Sequence, residues 1–409
     1  MERSLRSARI ATFTYFILCG TLMGTWVVHI PAIEHQVGIS HATLGGLLVL
    51  LGLGAFAGMQ VAGRLTDRLG SRVVVPTAGV LCGATLVLPG LARESWTLAA
   101  ALLVFGFCNG CLDVSMNAHA VHVEKAYSRP VMSAFHAAFS VGGVVAAVIA
   151  AGVSGMGMSA AWALAVTGVV GIVIALATGR LLLPAVPAEP TTPTTPTTPA
   201  EHAVAAEYAS AAGLRRAGRQ IWILAGVALM IMLCEGAAND WSALHLKDVL
   251  GAPAGTAAFA YGTFAAAMTL GRLLADRVSA RFGAMAILRY GAAVAAVGIT
   301  IAALSPWIWS AFAGWALFGL GLSGCVPQLF SAAGHADPAA AGTNVSRVAG
   351  LGYVGMLAGP AVIGWMTHVV ALNHAFLLLT LMCVIAAATA GVLRAERAAP
   401  IQVLSSDLV

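Results

Sequence analysis

Three acidic residues lie inside long apolar stretches of this 409-residue chain: Asp113, Glu235 and Asp240. Placing a carboxylate in hydrocarbon costs on the order of 3 kcal/mol even on the mildest insertion scale, so such a group needs a partner or a task. Asn109, Asp113 and Asn117 stand at i, i+4 and i+8, which puts them on one stripe of a helix. A carboxyl group shielded there from water resists ionisation and is able to take up and release a proton, which makes Asp113 the first candidate for a coupling acid. The alternative role is a hydrogen-bonded Asp that ties its helix to the next one through His136.

Glu235 shares a helical face with Asn239, and Gly236 beside it permits a bend. Trp26 and His29 fall at a similar depth in the first apolar segment. A carboxylate, an amide and an indole at one depth suit a polar solute that presents hydroxyls and a flat apolar face. Asp240 and Trp241 are read instead as a helix end anchored at the membrane interface. His136 is a candidate proton carrier or a hydrogen-bonded helix residue. Gln328 nearly occupies the repeat position of Asp113, because Gly110-Cys111 matches Gly324-Cys325, so it is a candidate for the same cavity. Cys108 and Cys111 have a metal-like spacing with no His or Cys cluster near them, so no metal and no cofactor are expected.

The elements that must position these residues follow from composition. The chain is 59% hydrophobic and 9% charged, against roughly 25% charged in a soluble protein, which excludes a soluble fold. Its net charge is +5, yet the basic residues form no dense run interleaved with aromatics, so nucleic acid is not an expected partner. A span needs about 20 mostly apolar residues, and such segments occur near 10–33, 42–63, 73–92, 96–121, 131–153 and 160–183, then near 220–246, 254–275, 285–305, 307–333, 343–369 and 372–393. Lipid leaves no unpaired backbone unpunished, so an all-α integral membrane fold of twelve transmembrane helices is expected. Nearly every Lys and Arg falls on one set of alternate loops, Arg93 and Lys247 being the exceptions, which predicts cytoplasmic N- and C-termini.

Between the two sets of six, Pro184, Pro187, Pro190, Pro193, Pro196 and Pro199 recur every third residue, the period of a polyproline II spacer. The expected organisation is a six-helix bundle over 1–183, a cytoplasmic Pro/Thr-rich linker over 184–219, a second bundle over 220–394 and a cytoplasmic tail over 395–409. The bundles look duplicated. Gly54, Gly63 and Arg64 recur as Gly262, Gly271 and Arg272, and Cys19 and Trp26 recur at the same spacing as Cys234 and Trp241. Two pseudo-symmetric bundles of this kind place a solute site at their interface.

The loop after the second segment reads Gly63-Arg64-Leu65-Thr66-Asp67-Arg68-Leu69-Gly70-Ser71-Arg72. Its glycine, acid, arginine and glycine resemble the loop signature of the major facilitator superfamily, with Arg72 following. The second copy, Gly271-Arg272-Leu273-Leu274-Ala275-Asp276-Arg277, resembles it with one extra residue before the acid. The resemblance implies a cytoplasmic gate in which Gly63 lets helices approach and the acids and arginines form a charge network that breaks as the halves rock. Asp113-Val114-Ser115-Met116-Asn117, followed by Phe135-His136, and the run Glu235 to Ser242 resemble the bacterial branch near the fucose-permease-like sugar/proton symporters. That likeness implies proton-coupled movement of a small polar solute, such as a sugar, across the bacterial inner membrane. The first helix holds no acid, unlike the fucose permeases, and Gly106 stands where drug/proton antiporters carry an arginine.

No nucleotide-binding loop is present, so a proton or Na⁺ gradient is the expected drive, acting on a monomer in the lipid bilayer. The competing readings are a proton-coupled exporter of a drug-like compound or secondary metabolite, and, from another class, an integral-membrane enzyme or receptor.

Overall fold

The computed structural model describes residues 2–39, 41–154, 159–184, 200–337 and 340–393. Most of the described residues are helical, and none of them forms a strand. The N-terminal helices are α1 (Glu2–Val37), α2 (His41–Leu69), α3 (Ser71–Thr85), the short α4 (Leu88–Leu91), α5 (Ser95–Tyr127), α6 (Met132–Ser154) and α7 (Ala160–Gly179). The C-terminal ones are α8 (Ala200–Leu244), α9 (Ala254–Phe282), α10 (Ala284–Leu304), α11 (Ile308–Leu322), α12 (Cys325–Ala336), α13 (Ala341–Met366), α14 (Leu372–Ala375) and α15 (Leu377–Thr389). Ten stretches among the described residues are long and apolar enough to cross a membrane, and Met132–Ala146 is a shorter apolar helix. The structure is all-α, as the hydropathy pattern predicts.

Two segments depart from the expected boundaries. The tenth span is broken into α11 and α12 at Ser323 and Gly324. Helix α8 begins at Ala200, inside the stretch read as linker, because an alanine-rich run that favours helix follows Pro199. The remainder of the proline repeat, 185–199, and the tail, 395–409, lie outside the described residues.

The packing repeats. Helix α1 packs on α6, α2 on α5 and α3 on α7; in the second half α8 packs on α13, α9 on α11 and α10 on α15. Lipid gives no hydrophobic drive for helices to associate, so close van der Waals contact between small residues must supply it. At the α2–α5 seam a Cβ on Gly58 would lie 2.0 Å from the Phe107 carbonyl oxygen, a distance only glycine tolerates. Large apolar side chains such as Phe259, Trp309 and Val369 are exposed on the outside, where hydrocarbon is their solvent. The halves meet where α2 packs on α13, α6 on α9, and α5 on α12 and α13. Those junctions carry the polar residues.

Candidate functional site: a polar layer between the halves

Helix α5 carries Asn109, Asp113 and Asn117, all buried, on the stripe that the spacing predicts. The Asn117 side-chain amide donates to Asp113 Oδ1 at 3.2 Å and to the Asp113 carbonyl at 2.9 Å. His136 on α6 donates from Nε2 to Asn117 Oδ1 at 3.2 Å, so Asp113, Asn117 and His136 form one chain. Asp113 therefore ties α5 to α6, though through Asn117 rather than directly. Its Oδ2 is buried with no hydrogen-bond partner. The Tyr353 phenol of α13, in the opposite half, stands beside the same carboxyl group. Asn109 accepts from the Cys19 thiol at 3.6 Å and so faces α1.

Glu235 on α8 pairs with Arg272 on α9: the guanidinium Nη2 donates to Glu235 Oε1 at 3.3 Å, with both side chains about 15% exposed. Arg272 Nη1 donates across the interface to Ser140 Oγ on α6 at 3.3 Å, while its Nε is buried and unpaired. His136 lies close enough to Arg272 to feel its charge, and Tyr353 feels both Asp113 and Glu235. One polar layer thus joins α5 and α6 of the first half to α8, α9 and α13 of the second. Arg272 was expected in the cytoplasmic gate; its side chain belongs to this layer instead. Ser140 and Tyr353 escaped the sequence reading, since a hydroxyl in an apolar helix is common and carries no spacing signal.

The other candidates scatter. Asn239 and Asp240 are exposed, one helical turn beyond Glu235. Trp26 is fully buried in the apolar core, and His29 donates from Nδ1 to the Thr25 carbonyl of its own helix at 2.8 Å. Gln328 on α12 accepts from Ser279 Oγ on α9 at 3.1 Å, a tie within the second half, and its Nε2 is unpartnered. A separate crevice of about 470 Å³, lined by apolar residues such as Leu274, Val278, Tyr290 and Val294, opens between α9, α10 and α11. It offers no charge to a polar solute.

A second polar set closes one end of the molecule. Asp67, near the end of α2, accepts the N–H groups of Gly342 at 2.7 Å and Thr343 at 2.8 Å and the Thr343 hydroxyl at 2.5 Å. Asp276 on α9 accepts the N–H groups of Ser133 at 2.9 Å and Ala134 at 2.6 Å. Each acid caps the first turn of a helix in the other half, α13 or α6, where free N–H groups and the helix dipole favour an anion. The expected network of acids with arginines is thus replaced by acid on helix terminus. Arg64, Arg68 and Arg277 are exposed, Gly70 takes the positive φ of 79° between α2 and α3, and Arg72 donates to the Arg180 carbonyl.

Glu124 strengthens the same end. It accepts the N–H groups of Val131 and Met132 at 2.9 and 3.0 Å and the hydroxyl of Ser331 from the other half. Lys125 Nζ donates to the Gly334 carbonyl at 2.8 Å. Glu124 lies beyond the apolar segment near 96–121 and still stands on a helix, because α5 runs on to Tyr127.

The fold is one met in known proteins. The family model described as Major Facilitator Superfamily matches residues 11–346. An uncharacterized MFS-type transporter of Yersinia pestis is 34% identical over 94% of this chain and 95% of its own. The fold is similar to that of the transporter FucP in its outward conformation, with a TM-score of 0.73, 15% identity and 94% and 98% of the two chains covered. It is also similar to the proton:xylose symporter XylE, with a TM-score of 0.70, 14% identity and 95% of each chain covered. A duplicated helical packing, acids capping helices across the two halves, and a match over most of the chain converge: this is a multi-pass membrane transporter that belongs to the major facilitator superfamily.

Proposed function

We propose that the chain is a proton-coupled transporter of the bacterial inner membrane that moves a small polar solute, such as a sugar, by alternating access. Asp113 takes and releases the coupling proton. The observation that carries this is the buried Asp113 carboxyl group, one oxygen hydrogen-bonded into the Asn117–His136 chain and the other unpartnered where the two halves meet. An ionised carboxylate with an empty acceptor in a dry interior is costly, so protonation and the opposing helix are linked. The organisation read from the sequence is part of the proposal: bundles over 1–183 and 220–394, a tether between them, and both termini in the cytoplasm.

With that orientation the end bearing Asp67, Glu124 and Asp276 is cytoplasmic, and the structure is the form closed toward the cytoplasm. The solute then enters from the opposite end, past exposed Asn239 and Asp240, and meets the polar layer. A thermal-stability screen of the purified protein against sugars, polyols, amino acids and nucleosides finds the solute, because a ligand that binds the folded state raises its stability. In vesicles, Asp113→Asn should abolish accumulation of that solute against a gradient while leaving its exchange counterflow intact. Accumulation that survives in the mutant, or that follows Na⁺ and ignores pH, overturns the assignment.

A further inference from the structure

Asp67 and Asp276 perform the same capping in the two halves, yet the neighbours they bring with them differ. A residue four positions earlier lies on the same helical face as the acid. Four before Asp67 is Gly63, where a Cβ would lie 2.6 Å from Ser346 Cβ and 2.8 Å from the Gly342 carbonyl oxygen of the opposite half. Four before Asp276 is Arg272, whose guanidinium reaches Ser140 of the opposite half and Glu235 of its own.

The extra residue in the second copy is the cause. Arg64 stands three before its acid and Arg272 four before, and one residue turns a side chain by about 100° around the helix. Arg64 is accordingly exposed. Gly271, displaced by the same turn, packs on its own half, where a Cβ would lie 2.3 Å from Ser323 Oγ. One inserted residue has exchanged a close-packing glycine for a guanidinium on the face that meets the other half.

Helix α9 therefore grips α6 at two levels, Asp276 on Ser133 and Ala134 and Arg272 on Ser140, and the second grip shares its charge with Glu235. Helix α2 also holds α13 at two levels, through Asp67 and through the Gln60 side-chain amide, which donates to the Ser346 carbonyl at 3.3 Å, but among the described residues this grip includes no guanidinium and no tie to the Glu235 charge. We propose that Arg272 is a positioning residue that wires the Asp276 latch to the central site, whereas the Asp67 latch is a fixed closure. When a solute engages Glu235, Arg272 loses its counter-charge, its hold on Ser140 loosens, and the α6–α9 latch weakens first. Opening of this end is then conditional on what occupies the centre. The proposal rests on the alternating-access reading above.

Val121, fully buried under Gly334 of the opposite half and distant in sequence from both acids, supplies a reporter. The maleimide-labelling rate of Val121→Cys is measured in Asp67→Asn, Asp276→Asn, Glu235→Gln and the two double variants with Glu235→Gln. Labelling should rise in each single variant. The Glu235→Gln/Asp276→Asn pair should fall short of the product of its singles by about ten-fold, the size of coupling seen between residues in one network, while Glu235→Gln/Asp67→Asn should multiply. Arg272→Lys, which keeps the charge and loses the forked geometry, replaces Glu235→Gln in the same cycle should the latter fail to fold. If both pairs multiply, the wiring is wrong and alternating access stands. If no variant changes the labelling, this end is not a gate and both ideas fall.

Discussion

Asp67→Asn is the perturbation whose size follows most directly from the geometry. The carboxylate takes two backbone N–H groups and a hydroxyl from the first turn of α13. Asparagine keeps one acceptor oxygen and turns an NH₂ group toward the remaining donors, so one charge-assisted bond and the attraction of the helix dipole are lost together. A hydrogen bond to a charged group contributes about 1.5–3 kcal/mol and a carboxylate at a helix terminus about 0.3–1 kcal/mol. Asp67 is half-buried, which favours the lower ends, and about 2 kcal/mol is the resulting loss. That shifts the ratio of open to closed at this end by about thirty-fold. Spin labels on Leu69 and His335, exposed on opposite halves at this end, report the change by pulsed dipolar spectroscopy. The distance distribution should gain a long component in Asp67→Asn and only a weak one in Thr343→Ala, which removes a single hydroxyl donor. Equal effects of the two variants, or none, refute the helix-cap account of the gate.

Three further outcomes follow. Arg272→Gln leaves Glu235 without its counter-charge, so the variant should melt below wild type, and the Glu235→Gln/Arg272→Gln double variant should recover part of the loss; scanning calorimetry in detergent decides it. Gly63→Val places side-chain atoms against Ser346 and Gly342, so the form closed at this end should be disfavoured and the long Leu69–His335 component should dominate. Asn117→Leu cuts the link between Asp113 and His136, so counterflow should persist while the pH profile of accumulation shifts; an unchanged profile excludes the chain from coupling.

Much of the fold was legible because a membrane span writes its own length in hydropathy, and the segments read from the sequence overlie the helices found. What misled were the ends. Helices α5 and α9 continue past their apolar stretches, so Glu124 and Asp276, which hydropathy leaves outside the spans, stand on helices and cap others. The stripe of Asn109, Asp113 and Asn117 was visible from spacing alone, since i+4 geometry is local. The neighbours brought from elsewhere in the chain were not: Tyr353 comes to stand beside Asp113, and Arg272 to pair with Glu235, through tertiary packing that no spacing records. The inserted residue before Asp276 was plain in the sequence, and its meaning required knowing which face of α9 meets α6. Gln328 shows the limit of repeat arithmetic: a position nearly equivalent to Asp113 is spent on Ser279 in its own half.

The central claim is that the two halves rock about the polar layer, so that closing one end opens the other. Labels on Leu69 and His335 at the capped end, and on Arg93 and Trp307 at the opposite end, measure both distances in one preparation in lipid nanodiscs. When Asp67→Asn releases the caps, the first distance should lengthen and the second shorten in the same fraction of molecules. Lengthening at the capped end with no change at the other would contradict the account.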